Sequence, residues 1–324
     1  MLSICLLVVG ERVYADSLCS SVRALQSVEA ERPAQSVESV NERRRRMRRA
    51  QDLLGRQVAE QYLGGKAVAT ELSECLNRSQ EAVHEVLSYA AFPLFDLTLE
   101  SFQSSRVPAL NAFVQAVRRK YPVGSYPILR LSAVDQTLHS QNLTAGFHRH
   151  ERHLAFSIAQ IPAGDWNLIF IHELLHLIDP KMEQGQRILR EGGTFQRLRF
   201  YDRRGYRFAQ LPRDEQQNAL SLVEAALSQG LYAEYRAWAA TDYIYNQAVS
   251  ARLWQPHAVL LSLQPQGRGR TAEEARKRIY DHLKSRFPLQ VDDFKDSSLF
   301  LEALAIVDPL GRRDPPALSY DWLR

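Results

Sequence analysis

Along the first third of the chain, apolar residues recur at intervals of three and four, the period of helices with one buried face. Leu53, Leu54, Val58, Tyr62 and Leu63 mark one such helix, closed by Gly64–Gly65. A second helical stretch is expected from about Glu71 to Ala91, stopping before Phe92–Pro93. A third runs from about Val107 to Lys120 and stops before Tyr121–Pro122, because a residue preceding proline disfavours helical backbone.

The pattern changes after Gly124. Ile128 to Val134 reads as a strand, and His153 to Ile161 as another with partial alternation at Leu154, Phe156, Ile158 and Ile161, ended by Pro162–Ala163–Gly164. Asp165 is placed to cap a helix running to Asp179, with Pro180 as its stop. That helix is apolar nearly all round, as a helix buried in the centre of a domain is. From Lys181 to Arg213 the chain turns polar and glycine-punctuated, and Gly192–Gly193 and Gly205 flank aromatic segments that could pair as a hairpin in an inserted flap. A long apolar helical region follows from about Ala219 to Val249. A further helix is expected at Thr271, where Thr271 and Glu274 have capping-box spacing.

The 324 residues, 45% of them hydrophobic, suffice for a substantial core in one large domain or two lobes, so disorder is not the default. A formal charge of +4, from 41 basic and 37 acidic residues, is slight over such a surface and does not argue for nucleic acid. Leu2 to Val9 is too short to span a bilayer but suits the apolar region of a secretory signal, with Val13–Tyr14–Ala15 as a cleavage site. A buried N-terminal strand is the alternative, since no basic residues precede the run. Cleavage there would leave Cys19 and Cys75, either bridged in an oxidising compartment or present as two free thiols.

Three polar residues interrupt the apolar helix. His172 and His176 are four apart, so on a helix their side chains share one face and can reach one metal ion. Glu173 is rotated by about 100°, placed to accept a proton from a metal-bound water. The H-E-x-x-H pattern is expected only ~0.02 times by chance at this composition. Unpartnered burial of three such groups would cost roughly 1 to 3 kcal/mol each, a cost that a bound metal and its water remove. A hydrogen-bonded core histidine is the ordinary alternative for either residue taken alone.

A strand, an H-E-x-x-H helix and a later helix bearing a carboxylate resemble the zincin metallopeptidases, in their gluzincin arrangement, over roughly residues 125 to 250. The resemblance implies one zinc ion per chain held by His172, His176 and a downstream glutamate, with Glu173 as general base. It also implies a peptide or protein substrate laid along an edge strand, here at about His153 to Ile161. The third ligand it points to is Glu234, in Leu231–Tyr232–Ala233–Glu234–Tyr235–Arg236–Ala237–Trp238. Glu234 lies 58 residues beyond His176, farther than gluzincins commonly place it, a gap that the 181–213 insertion would fill. A surface carboxylate paired with a neighbour is the alternative role for Glu234. Glu224, ten residues earlier, is the reserve, facing elsewhere unless the helix breaks at Gly230. Asp179 is expected to orient an imidazole or to be a polar helix end. Tyr232, Tyr235, Arg236 and His257 all have chemistry suited to stabilising transition-state charge.

His148, His150 and His153 read as a polar loop before a strand, with a second metal the alternative. Arg43 to Arg46, Arg48 and Arg49 place six guanidiniums within two helical turns. Such a run is a solvated face or a docking surface for an anionic envelope component, and it lacks the aromatic residues of a nucleic-acid platform.

Together these features predict a predominantly helical α+β protein with a zincin-like core, a small sheet and an H-E-x-x-H helix. The expected segments are a signal peptide over 1–15, a helical lobe over 16–122, a catalytic core over 123–250 with the 181–213 insertion, and a helical region over 251–324. The expected activity is zinc-dependent peptide hydrolysis in a secreted or periplasmic setting, with a cytoplasmic one the alternative. A zinc amidase acting on a cell-wall or other non-protein amide, and a non-catalytic envelope-binding protein using the arginine helix, are the rivals. No transmembrane anchor and no nucleic-acid partner are expected.

Overall fold

The computed structural model describes residues 18–30, 37–140, 143–148, 153–263, 272–284, 286 and 290–308. The expected signal segment, His150 and Thr271 lie outside them. The protein is predominantly helical with one small mixed sheet, in two compact units that are not contiguous in sequence. One comprises the described residues of Met1–Ser105 with Tyr121–Phe170, the other those of Arg106–Lys120 with Ile171–Arg324.

In the first unit, α1 (18–30) precedes α2 (Val37–Leu63), α3 (Val68–Cys75) and α4 (Gln80–Ser104). A Cys19–Cys75 disulfide ties α1 to the end of α3. The expected helix over Glu71–Ala91 is in fact two. Asn77 and Arg78 take positive φ after α3, and Ser79 caps α4 by accepting from the Ala82 amide at 3.3 Å. Nor does α4 stop before Phe92–Pro93: it runs through Pro93 for another eleven residues. An interior proline costs about 3 kcal/mol, but Leu87, Ala90, Ala91, Leu94, Phe95, Leu99 and Phe102 form an unbroken buried face on both sides of it. Pro93 cannot donate to the carbonyl of Tyr89, and Gly55 of α2 lies against that same carbonyl. A Cβ at position 55 would come within 2.1 Å of the Tyr89 oxygen, so only glycine permits this approach.

The sheet has the order β1 (Ile128–Ser132), β3 (His153–Ser157), β2 (Ala145–His148), with β1 parallel and β2 antiparallel to β3. The short helix α6 (Gln136–Ser140) connects β1 to β2. The strand expected at the sheet edge is thus the central one among the described strands. All five of its residues are buried, which replaces the expected alternation, and it ends at Ser157 rather than continuing to Ile161.

Helix α7 (Ala163–Ile178) starts directly after Pro162. Asp165 is therefore not its cap but lies in the first turn, its amide bonded to the Pro162 carbonyl at 2.8 Å. There its charge still complements the helix dipole. The first half of α7 is anchored within the first unit. Trp166 donates to Thr98 Oγ1 at 2.9 Å and packs against Tyr62, Phe156 and Phe170, while the Tyr62 hydroxyl donates to the Ile161 carbonyl at 2.9 Å. Burial, with Asp165 nearby, pushes the Tyr62 phenol well above its ordinary pKa.

The second unit contains α5 (Pro108–Lys120), the second half of α7, α8 (Pro180–Glu191), α9 (Gly193–Asp202), α10 (Arg213–Leu227), α11 (Leu231–Ser250), α12 (Ala258–Leu263), α13 (Ala272–Lys284) and α14 (Ser298–Val307). The 181–213 segment is helical, so the hairpin flap is not formed. Gly192 takes a left-handed φ of 59° to close α8 and open α9. Leu198, Phe208 and Leu211 are then buried with Leu222, Val223 and Phe300, and Ile188 and Phe195 pack against that core. Close approach of α8 to α10 depends on Gly185, where a Cβ would meet Ser228 Oγ at 2.0 Å.

Candidate metal centre

The chain that follows α10 determines which glutamate faces the two histidines. Gly230 adopts φ 57° and ψ −125°, a backbone conformation disfavoured for L side chains, and it breaks the expected single helix into α10 and α11. The break leaves Glu224 exposed on α10 and places Glu234 in the first turn of α11. Packing on α13 holds α11 in place: Leu231, Tyr235 and Ala239 are buried with Ile279, Tyr280 and Leu283, and Trp238 packs against the same cluster.

Within this unit His172, His176 and Glu234 converge, with one ligand atom from each lying within 4.8 Å of the others. The two imidazole Nε2 atoms are 3.2 Å apart. Glu234 Oε2 is 3.4 Å from His172 Nε2, and Oε1 is 3.4 Å from His176 Nε2. Tetrahedral zinc with bonds of about 2.0–2.2 Å holds neighbouring ligand atoms roughly 3.3 Å apart. The Nε2–Nε2 separation matches that spacing, the two 3.4 Å distances bring one carboxylate oxygen against each imidazole, and two nitrogens with a carboxylate are a donor set suited to such an ion. Among the described residues this is the group of three that could hold one. His153 is buried in the central strand and, among the described residues, belongs to no such group.

The electrostatics follow from burial and proximity. Burial alone would push the Glu234 carboxyl up, but His176 and His172 face it closely enough to hold it well below the usual carboxylate range. Burial likewise works against a charged His176, yet Glu234, Glu173 and Asp179 outweigh it and raise the imidazole above its ordinary value. Glu173 is 8% exposed, and desolvation pushes its carboxyl up despite the opposing pull of His172 and His176.

His172 is oriented by stacking. Its ring lies 4.2 Å from that of Trp238, tilted by 34°, and its buried Nδ1 has no hydrogen-bond partner. Trp238 is one turn after Glu234, so a single face of α11 supplies both the carboxylate and the stacking ring. Asp179 does not bond an imidazole as expected. Both its oxygens are taken by Arg236, and Oδ1 also caps α8 by accepting from the Lys181 amide at 2.9 Å. Lys120, the last residue of α5, donates to the Leu177 carbonyl at 2.6 Å and pairs with Glu183 at 2.8 Å, capping the end of α7.

Of the four residues with suitable transition-state chemistry, Arg236 is engaged by Asp179. Tyr235 and Tyr232 pack on Tyr280, and His257 lies beside Tyr245 and accepts from the Val259 amide. In the basic run, Arg44, Arg45, Arg46, Arg48 and Arg49 are exposed, whereas Arg43 turns back to the last carbonyls of α1, at 3.3 Å from Val28 and 2.7 Å from Glu29. No described helix is long and apolar enough to cross a membrane. Comparison with protein-family models, with curated proteins and with solved structures returned no match.

Proposed function

We propose that this protein is a zinc-dependent hydrolase of the zincin type, acting on peptide bonds. The observation that carries this is the convergence of His172, His176 and Glu234, with one ligand atom from each within 4.8 Å of the others, and a buried carboxyl, Glu173, on the same helix between the two histidines. His172, His176 and Glu234 would hold the ion. A bound zinc supplies Lewis acidity and makes a nearby water acidic near neutral pH. Glu173 takes the proton of the attacking water at its carboxylate and delivers it to the leaving nitrogen as the C–N bond breaks. The upward push on Glu173 from desolvation suits this exchange, since a base poised nearer neutrality both accepts and returns a proton. The Cys19–Cys75 bridge favours an oxidising, secreted or periplasmic location.

Elemental analysis of the purified chain is expected to find close to one zinc per wild-type molecule, and none in His176→Ala or Glu234→Ala. Glu173→Gln should keep the zinc and lose peptide hydrolysis by about 10²- to 10⁴-fold. A wild-type chain that takes up no zinc when reconstituted without chelator overturns the proposal. Zinc binding with no peptide cleavage, but with cleavage of a cell-wall amide, would transfer it to that substrate class.

A further inference from the structure

The three proposed ligands come from two helices. His172 and His176 are on α7 and Glu234 is on α11, so their convergence is only as well defined as the packing of α11 on the end of α7. A second connection joins the same two places. Asp179 lies three residues beyond His176, and Arg236 two residues beyond Glu234. The guanidinium donates from Nε to Oδ2 at 2.6 Å and from Nη2 to Oδ1 at 2.8 Å, with side chains only 11% and 4% exposed. Such a fork-on-fork pair constrains rotation as well as distance, because both parallel bonds require the two planes to align.

The carboxylate is itself fixed. The Asp179 amide donates to the Leu175 carbonyl at 3.0 Å, and its Oδ1 accepts from the Lys181 amide at 2.9 Å. A buried ion pair is a costly means of joining two helices where apolar side chains would serve, and its best-attested benefit is a specific register.

We propose that Arg236 and Asp179 are positioning residues for the metal centre: their paired hydrogen bonds set the register of α11 against the end of α7, so that Glu234 meets both imidazoles at one ion. This rests on the reading of His172, His176 and Glu234 as metal ligands.

The test is titration of the full-length, metal-free chain with cobalt(II), whose visible absorption reports coordination geometry, followed by zinc competition. The variants are Arg236→Lys, Asp179→Asn and the double Asp179→Leu/Arg236→Met, which removes both charges together and keeps the volume apolar. Folded variants are expected to bind metal about 10- to 100-fold more weakly than wild type and to give an altered cobalt spectrum. Arg236→Lys should remain impaired, since an ammonium keeps the charge but cannot form the fork. Folded variants with the wild-type spectrum and affinity would overturn the positioning role while leaving the metal site intact. So would unfolding of all three metal-free variants, which would make the pair a requirement of the fold instead. A wild-type chain that takes up no cobalt overturns both this inference and the metal-site reading on which it rests.

Discussion

Replacing Gly230 with alanine tests whether a backbone break selects the third ligand. At φ 57° and ψ −125° an alanine is strained, and such conformations cost of order 1–3 kcal/mol. The chain can keep the break and bear the strain, or relieve it by rotating the start of α11. Glu234 sits four residues on, in the first turn, so rotation moves its carboxylate directly. If the whole strain is expressed in the metal-competent geometry, zinc affinity falls roughly 5- to 150-fold. Gly124→Ala is the control: Gly124 has a φ of 83°, with nothing within 4 Å of an added Cβ, in the unit that does not contain the ligands. Zinc affinity by competition and thermal unfolding of both metal-free variants make the comparison. Both should lose stability, and only Gly230→Ala should lose zinc affinity. Equal losses of stability with wild-type zinc binding in both would refute the claim that Gly230 positions Glu234.

Glu224→Ala should leave zinc content unchanged while Glu234→Ala removes it, since Glu224 is exposed on α10; loss of zinc from the Glu224 variant would reverse the assignment. Zinc affinity should rise with pH, with its midpoint above the ordinary histidine value, because His176 is raised and must lose its proton to bind. Metal-free stability should move the opposite way. Contributions from the raised His176 and Glu173 are complete below their unfolded values and are lost as pH rises through the folded ones, while that of the depressed Glu234 is lost only in acid. Denaturant unfolding of the metal-free chain that shows rising stability above neutral pH would contradict these directions. Reducing the Cys19–Cys75 bridge, whose cysteines are 56 residues apart, should cost about 4 kcal/mol in the chain-entropy treatment, read as a lower denaturation midpoint after reduction.

Long, strongly periodic helices were legible in the sequence, and so was the change to strands after Gly124. What misled was local punctuation. Pro93 carries a strong stop signal, but a stop depends on what the helix would lose, and here the buried face continuing from Leu94 to Phe102 outweighs one missing hydrogen bond. The 181–213 segment looked like a flap because its glycines are frequent. Its apolar residues Ile188, Phe195 and Leu198 instead serve a helical core shared with α10 and α14. Strand order is a third case. Nothing local distinguishes a central strand from an edge strand until its partners are known, and β2 was too short to be recognised as one of them. The discontinuous composition of the two units follows from the same long-range pairing, since Arg106–Lys120 belongs with chain that comes fifty residues later.

The site divides along a similar line. His172, Glu173 and His176 were legible because their geometry is set within one helix, where spacing is equivalent to position. Glu234 needed a resemblance to single it out, because the relation between α7 and α11 passes through 58 intervening residues. Two signals for it were nevertheless present. Gly230 stood immediately before a run in which Glu234 and Trp238 are one turn apart, the spacing that lets one face carry both a carboxylate and a ring for His172. Asp179 and Arg236 are opposite charges, each two or three residues from a proposed ligand and beside apolar positions, where burial without a partner would be prohibitive. Taken as a pair, they predict that the end of α7 and the start of α11 meet near the proposed ligand residues, which favours Glu234 over Glu224 as the third.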